Sequence, residues 1–390
     1  MRFLATILTT SLVCGAAAAA TPDYDAVIRD ALATGYGLRP DSLAGAASVA
    51  AMHADNTLAG PEAEMEYLWP SDGTDNRWSL SLSQSFDWPG AYRARRAEAQ
   101  TAEEAARAVY EVATLDKAFE VKMLVLDIIN ARQRIGLLRS TFTNVDLMDS
   151  LIRVAYDREA ATALDIRKSA LARLDISSNI AVAEADLADL EAQLAAQGIH
   201  MPTSGWDVYP AQILHTQPLG AEEYPEYRAS VARRQAARAA VKAARTAALP
   251  GFAVGYTHAY EDKTHFNGFS VSVTLPSWSR RQRTRAAELE AMATGAETEA
   301  ALSIARAQTE SQHIVAQRLR DELEAYRHIT GDNSYLELLE KAYAGGLITV
   351  IDYLSEINHF TEARMRYLDL EYRYQQTLAR LNKPRSAYFN

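Results

Sequence analysis

Four short stretches of the chain alternate bulky apolar with small polar residues at a period of two. They cover residues 62–69 and 77–86, then 251–261 and 268–275, each pair split by a polar loop. Period two predicts strands, because successive side chains of an extended chain point to opposite faces. Trp78-Ser79-Leu80-Ser81-Leu82-Ser83 is repeated almost letter for letter by Phe269-Ser270-Val271-Ser272-Val273-Thr274. One face would then carry Trp78, Leu80 and Leu82 with Phe269, Val271 and Val273, and the other Ser79, Ser81, Ser270 and Ser272. In a soluble sandwich the apolar face turns to a core; in a membrane barrel it turns to lipid and the hydroxyls line the lumen. Alternation allows both, but the aromatic positions favour the barrel. Trp69, Trp78, Trp88 and Trp278 fall at or just past strand ends, with Tyr67, Tyr92, Tyr256, Tyr260 and Phe266, as two interfacial girdles require.

A different pattern follows each strand pair. All 12 prolines lie outside residues 90–201 and 277–383, two runs rich in Ala, Leu, Glu, Arg and Gln. Each run is predicted helical, with one turn near Glu159 to Thr162 in the first and one at Gly345-Gly346 in the second. The result is two helical hairpins of unequal arms, over about 91–197 and 280–382. The long arms, about 91–155 and 280–343, would each reach on the order of 100 Å at 1.5 Å per residue. The short arms space apolar residues by four and three, as in Ala183, Leu187, Leu190 and Leu194, or Thr361, Met365, Leu368 and Tyr372. Such spacing predicts coiled-coil seams.

Composition narrows the function classes. With 40 basic and 50 acidic residues among 390, the formal charge is −10, which argues against a nucleic-acid partner held by bulk electrostatics. Residues 1–20 read as a signal peptide: Arg2, an apolar stretch over 3–13, then alanines over 16–20. Cleavage there removes Cys14, the only cysteine, whose preceding Ser11-Leu12-Val13 fits a lipid-attachment site poorly. No later stretch offers the roughly 18 consecutive apolar residues of a membrane helix, so any membrane span would be made of strands. The eight histidines include no HExxH spacing, and His258, Glu261, Asp262 and His265 read as a solvated loop rather than a metal site. No phosphate-binding glycine loop or GxSxG elbow is present. The expectation is a protein without enzymatic activity, cofactor or metal.

The chain also repeats itself. The strand match has an offset of 191 and the Pro61/Pro250 match one of 189. In the helical turns, Ala155-Tyr156 through Thr162 to Asp165 aligns with Ala342-Tyr343 through Thr349 to Asp352 at an offset of 187. Two repeats are expected, over 21–205 and 206–390, each a strand pair (about 62–86, about 251–275) followed by a helical hairpin. The fold class expected is mainly α with a small β part.

These features together resemble the TolC family of outer-membrane efflux factors, and within it the cobalt-zinc-cadmium-resistance type. The resemblance spans the mature chain. It rests on the duplicated strand pair and hairpin, the motif Tyr343-x-x-Gly346-x-x-Thr349-x-x-Asp352, and Leu275-Pro276 ahead of an arginine-rich helix start over 280–285. It implies a homotrimer in which four strands per protomer build a shared 12-stranded barrel in outer-membrane lipid and the helices build a periplasmic tunnel. Four strands cannot close a barrel alone, since the smallest use about eight. The resemblance further implies a passive exit duct for metal cations or small toxic molecules, working with a periplasmic adaptor and an inner-membrane pump. Glu159, Thr162, Gly345, Gly346 and Thr349 would form the adaptor-docking tip, with Glu159 standing where a glycine is usual. Tyr343, Asp165 and Asp352 would form the gate, with Ser355 and Glu356 at the position of a second constriction aspartate and Ile348 replacing an arginine. A plainer role for Asp165 and Asp352, as acids starting the returning helices, is compatible with the gate. The other class in play, a periplasmic coiled-coil adaptor or scaffold without a pore, would leave the strand aromatics unexplained.

Overall fold

The computed structural model describes residues 24–33, 37–69, 71, 76–159, 161–199, 207–275, 278–330 and 334–385. The expected signal peptide and Pro276 lie outside them. In chain order the elements are α1 (Tyr24–Ala33), α2 (Arg39–Ala54), β1 (Glu62–Leu68), β2 (Arg77–Phe86), α3 (Pro89–Asp157), α4 (Ala163–Ala196), α5 (Pro225–Ala247), β3 (Gly251–Glu261), β4 (Thr264–Thr274), α6 (Trp278–Thr330), α7 (Ser334–Ala344) and α8 (Val350–Asn382). The molecule is mainly helical with one small antiparallel sheet.

α3 is a single helix of 69 residues that opens on Pro89, where a missing N–H costs nothing. In the second run the described helices of the long arm are α6 and α7, on either side of residues 331–333. Helices α1, α2 and α5 were not anticipated. α5 starts at Tyr224-Pro225 and buries Pro225, Ala229 and Ala243, so it packs through small side chains and shows little large-residue periodicity.

The four strands form one sheet in the order β1-β2-β3-β4. β4 begins at Thr264, not near 268, because Asp262 (φ 46°) and Lys263 (φ 62°) make a two-residue turn with both residues left-handed, the geometry that suits a twisted hairpin. β1 ends at Leu68, one residue before Trp69. The antiparallel order puts all four helix-connected strand ends on one side of the sheet and both hairpin turns on the other.

The chain divides into two compact units. One comprises the described residues within 24–31, 124–211 and 323–375. Its core joins Val145, Met148 and Ile152 of α3, Ile176 of α4, Leu339 of α7, and Tyr353, Leu354 and Ile357 of α8. The other comprises residues 32–123, 212–322 and 376–390 and holds the sheet. Its helices bury alanines, including Ala99, Ala118, Ala243 and Ala316, which let helix axes approach closely. Thr298 of α6 donates to the Ser230 carbonyl of α5 at 3.2 Å. No described helix is long and apolar enough to cross a membrane.

Candidate functional site

The strand register decides which side chains share a face. Leu80 lies opposite Met65 and His258, and Leu82 opposite Ala63 and Tyr256. Tyr256 then faces Phe269, Val254 faces Val271, and Phe252 faces Val273. Trp78, Leu80, Leu82, Phe269, Val271 and Val273 therefore sit on one side of the sheet. Among the described residues that side is largely open: Phe269 is 86% exposed and Val271 75%. The opposite side carries Glu62, Glu64 and Glu66 against Ser83, Ser81 and Ser79, continuing through Thr257 to Ser270 and Ser272. A Cβ on Gly255 would come within 2.6 Å of the Ser270 hydroxyl on that side, so the hydroxyl would have to turn away.

Aromatic rings gather at both ends of the apolar side. At the hairpin end Trp78 stacks on Tyr260 at 6.3 Å and Tyr67 lies 6.1 Å from Trp69. At the helix end Trp88 packs on Phe252 at 5.7 Å. His258 and His265, read from sequence as loop residues, instead stack on one another within the ring cluster, with His258 bonded to Asn267 Oδ1 at 2.7 Å. Among the described residues no group of three or more metal-ligating side chains is assembled.

In the other unit, the two helical turns share one construction. Glu159 (φ 61°) and Gly346 (φ 67°) hold the same left-handed conformation. The second turn closes as a Schellman motif, with Gly346 N–H bonded to Tyr343 O and Leu347 N–H to Ala342 O, both at 2.9 Å. Each returning helix then starts with a reciprocal capping box. Thr162 N–H and Oγ1 donate to Asp165 Oδ2 at 2.9 and 2.6 Å, and Asp165 N–H donates to Thr162 Oγ1 at 3.3 Å. Thr349 and Asp352 repeat this at 3.1, 2.7 and 3.2 Å. The threonine hydrogen bonds hold both aspartates below the usual carboxylate range.

The remaining gate candidates separate. Tyr343 packs its ring against Tyr353 at 5.4 Å. Glu356 accepts from the Tyr335 hydroxyl at 2.6 Å while Tyr335 stacks on Phe360 at 5.3 Å, tying α7 to α8, and Ser355 is exposed beside it. That hydrogen bond pushes the Tyr335 phenol up to about 12. Sequence reasoning missed a further pair. Asp149 of α3, 4% exposed, accepts from Ser169 of α4 at 2.6 Å and from Arg153 at 2.9 Å. The Asp149/Arg153 spacing of four was visible, but the Ser169 partner needs the hairpin's register.

Residues 221–383 match the family model described as outer membrane efflux protein. A search of curated proteins finds no match. Among solved structures, the chain is similar to a membrane protein from Pseudomonas aeruginosa, with TM-score 0.78 at 20% identity, covering 93% of this chain and 90% of that one. It is also similar to CusC, from a study of its folding and transmembrane channel formation (TM-score 0.71, 17% identity, 93% and 91% covered). A third is the open state of the Neisseria gonorrhoeae MtrE outer membrane channel (0.73, 18%, 93% and 88%). The chain has the fold of these channels.

Proposed function

We propose that the chain is an outer membrane efflux protein, one subunit of a homotrimeric channel that gives solutes a passive exit from the periplasm. The observation that carries this is the sheet. It has a largely apolar side, interrupted by Gln84 and by the His258–Asn267 pair beside Leu80, a side of carboxylates and hydroxyls, and two edge strands, β1 and β4. Open edges are prohibitive in lipid, so the sheet requires copies of itself to close into a barrel with the polar side as lumen. The family match over 221–383 and the channel fold support the same reading. On it, each half of the chain, 21–205 and 206–390, contributes one strand pair and one helical hairpin. The two capped turns, with Glu159, Thr162, Gly345, Gly346 and Thr349, dock a periplasmic adaptor that delivers substrate from an inner-membrane pump. Tyr343, Asp165, Asp352, Ser355 and Glu356 line the constriction. A lumen with Glu62, Glu64 and Glu66 favours cations, in keeping with the metal-resistance type.

The test is fractionation followed by reconstitution. The protein should sediment with the outer membrane, need detergent for extraction, run as an oligomer of three, and conduct in a planar bilayer. A soluble periplasmic protein without conductance would reject the proposal.

A further inference from the structure

Where the strands meet the helices, the charge of the chain reverses. Overall the formal charge is −10, yet residues 225–250 hold Arg228, Arg233, Arg234, Arg238, Lys242 and Arg245 against Glu226 alone. The start of α6 adds Arg280, Arg281, Arg283 and Arg285 within eight residues of Trp278, and the start of α3 adds Arg93, Arg95 and Arg96 just after Trp88. Neither helix has an acid in its first turn. Cations there are repelled by the positive end of the helix dipole, so the dipole does not explain the placement, although Arg95 pairs with Asp87 at 2.5 Å. It occurs in both halves of the chain.

The packing shapes part of this charge into a cleft. Arg280 Nη1 donates to Leu249 O at 3.0 Å and Thr284 Oγ1 to Ala244 O at 3.3 Å, pinning the start of α6 to the end of α5 two residues before β3 begins. Beside that junction lies a cleft of about 430 Å³ lined by Arg245, Arg281, Gln282, Thr284, Arg285 and Glu288. The lining holds the basic Arg245, Arg281 and Arg285 against one acid, Glu288, which pairs with Arg245 at 2.7 Å. Guanidinium forks bind phosphate oxygens in pairs. The apolar side of the sheet ends at the same level, at Phe252 and Val273, with Trp88 against Phe252.

We propose that the cleft between the end of α5 and the start of α6 binds the phosphodiester headgroup of an anionic phospholipid of the periplasmic leaflet. The inference rests on the channel reading, which puts the apolar side of the sheet in lipid and the Trp88 level at the water boundary. Arg281 and Arg285 grip the phosphate, Gln282 and Thr284 offer polar contacts, and the lipid chains continue along the apolar side of the sheet. The exposed Arg93 and Arg96 extend the basic belt on the first half.

The experiment is native mass spectrometry of the detergent-purified oligomer after titration with phosphatidylglycerol or phosphatidylcholine, with planar-bilayer conductance of every variant. Phosphatidylglycerol should be retained at much lower concentration than phosphatidylcholine. Arg281→Gln with Arg285→Gln should weaken its retention about thirtyfold, from about 1 kcal/mol per basic residue near an anionic lipid surface. Arg281→Lys with Arg285→Lys should keep most of it, and Arg306→Gln with Arg318→Gln, farther along α6, all of it. Equal retention of the two lipids by wild type, or undiminished phosphatidylglycerol retention in the double Gln variant, overturns the inference. Full displacement of the lipid by excess inorganic phosphate would make the cleft a free-anion site and also overturns it. A conducting wild type without lipid preference removes this inference alone; a wild type that forms no channel removes the channel reading with it.

Discussion

Glu159 and Gly346 hold one backbone conformation at unequal cost. A left-handed φ disfavours any residue with a Cβ by roughly 1–2 kcal/mol, and glycine escapes this. Glu159→Gly should therefore stabilise the protein by about 1 kcal/mol in urea unfolding, and Gly346→Leu should destabilise it by a similar amount although its side chain would meet open space. If Gly346→Leu proves neutral, the left-handed turn is not held in solution. The buried pair on α3 and α4 responds to pH. Burial alone would raise the Asp149 carboxyl, but hydrogen bonds from Ser169 and Arg153, and the charges of Arg153 and Arg173, outweigh it and leave the carboxyl below its ordinary value. A depressed folded value means stability that is present at neutral pH and lost as pH falls from about 3.9 through the folded pKa. Ser169→Ala leaves a buried carboxylate short of one donor. It should destabilise by about 1–3 kcal/mol at pH 7, with the gap from wild type narrowing below pH about 3.9. A gap that stays constant with pH would mean that Ser169 acts through packing alone.

At the scale of elements, the strand faces make the sharpest prediction. Arginine at Leu80 or Val271 points into lipid on the proposed reading and costs about 2–4 kcal/mol near the bilayer midplane, whereas arginine at Ser81 points into the lumen. Leu80→Arg should abolish heat-sensitive oligomers on a gel while Ser81→Arg assembles; equal tolerance at both positions would reject the barrel. These faces were legible in the sequence because a period of two fixes sidedness without tertiary knowledge. The turns were legible for a similar reason: Thr162-x-x-Asp165 and Thr349-x-x-Asp352 are capping boxes written in consecutive residues. What was not legible depended on distant partners. α5 packs through the small residues Ala229 and Ala243, so its buried face carries few bulky apolar side chains to announce it. Asp149 with Ser169, and Tyr335 with Glu356, meet only once helices are set side by side.

At the scale of the molecule, each unit has an apolar surface that is exposed among the described residues. The sheet exposes Phe269, Val271 and Val273, and α4 exposes Leu164, Leu171, Leu174 and Val182, all more than half accessible and within one helical stripe. Both are accounted for if neighbouring copies pack against them, and Leu171→Glu with Leu174→Glu should then shift the detergent-solubilised protein from trimer to monomer in sedimentation. A trimer would also change what Asp352 does. In one chain its carboxylate is occupied by Thr349, a cap that favours the charged form. Three copies around an axis would set three such charges facing one another, raising the carboxyl values by mutual repulsion and making a ring that holds divalent cations. Cap and ring can be separated experimentally, since asparagine keeps an oxygen for the Thr349 hydroxyl while removing the charge. Asp352→Asn should weaken block of the channel by divalent cations with the trimer intact. Tyr343→Phe combined with Asp165→Asn, which likewise preserves the Thr162 cap, should raise single-channel conductance. If both variants form trimers whose conductance and divalent block match wild type, the two aspartates serve as helix caps only and the pore closes through other contacts.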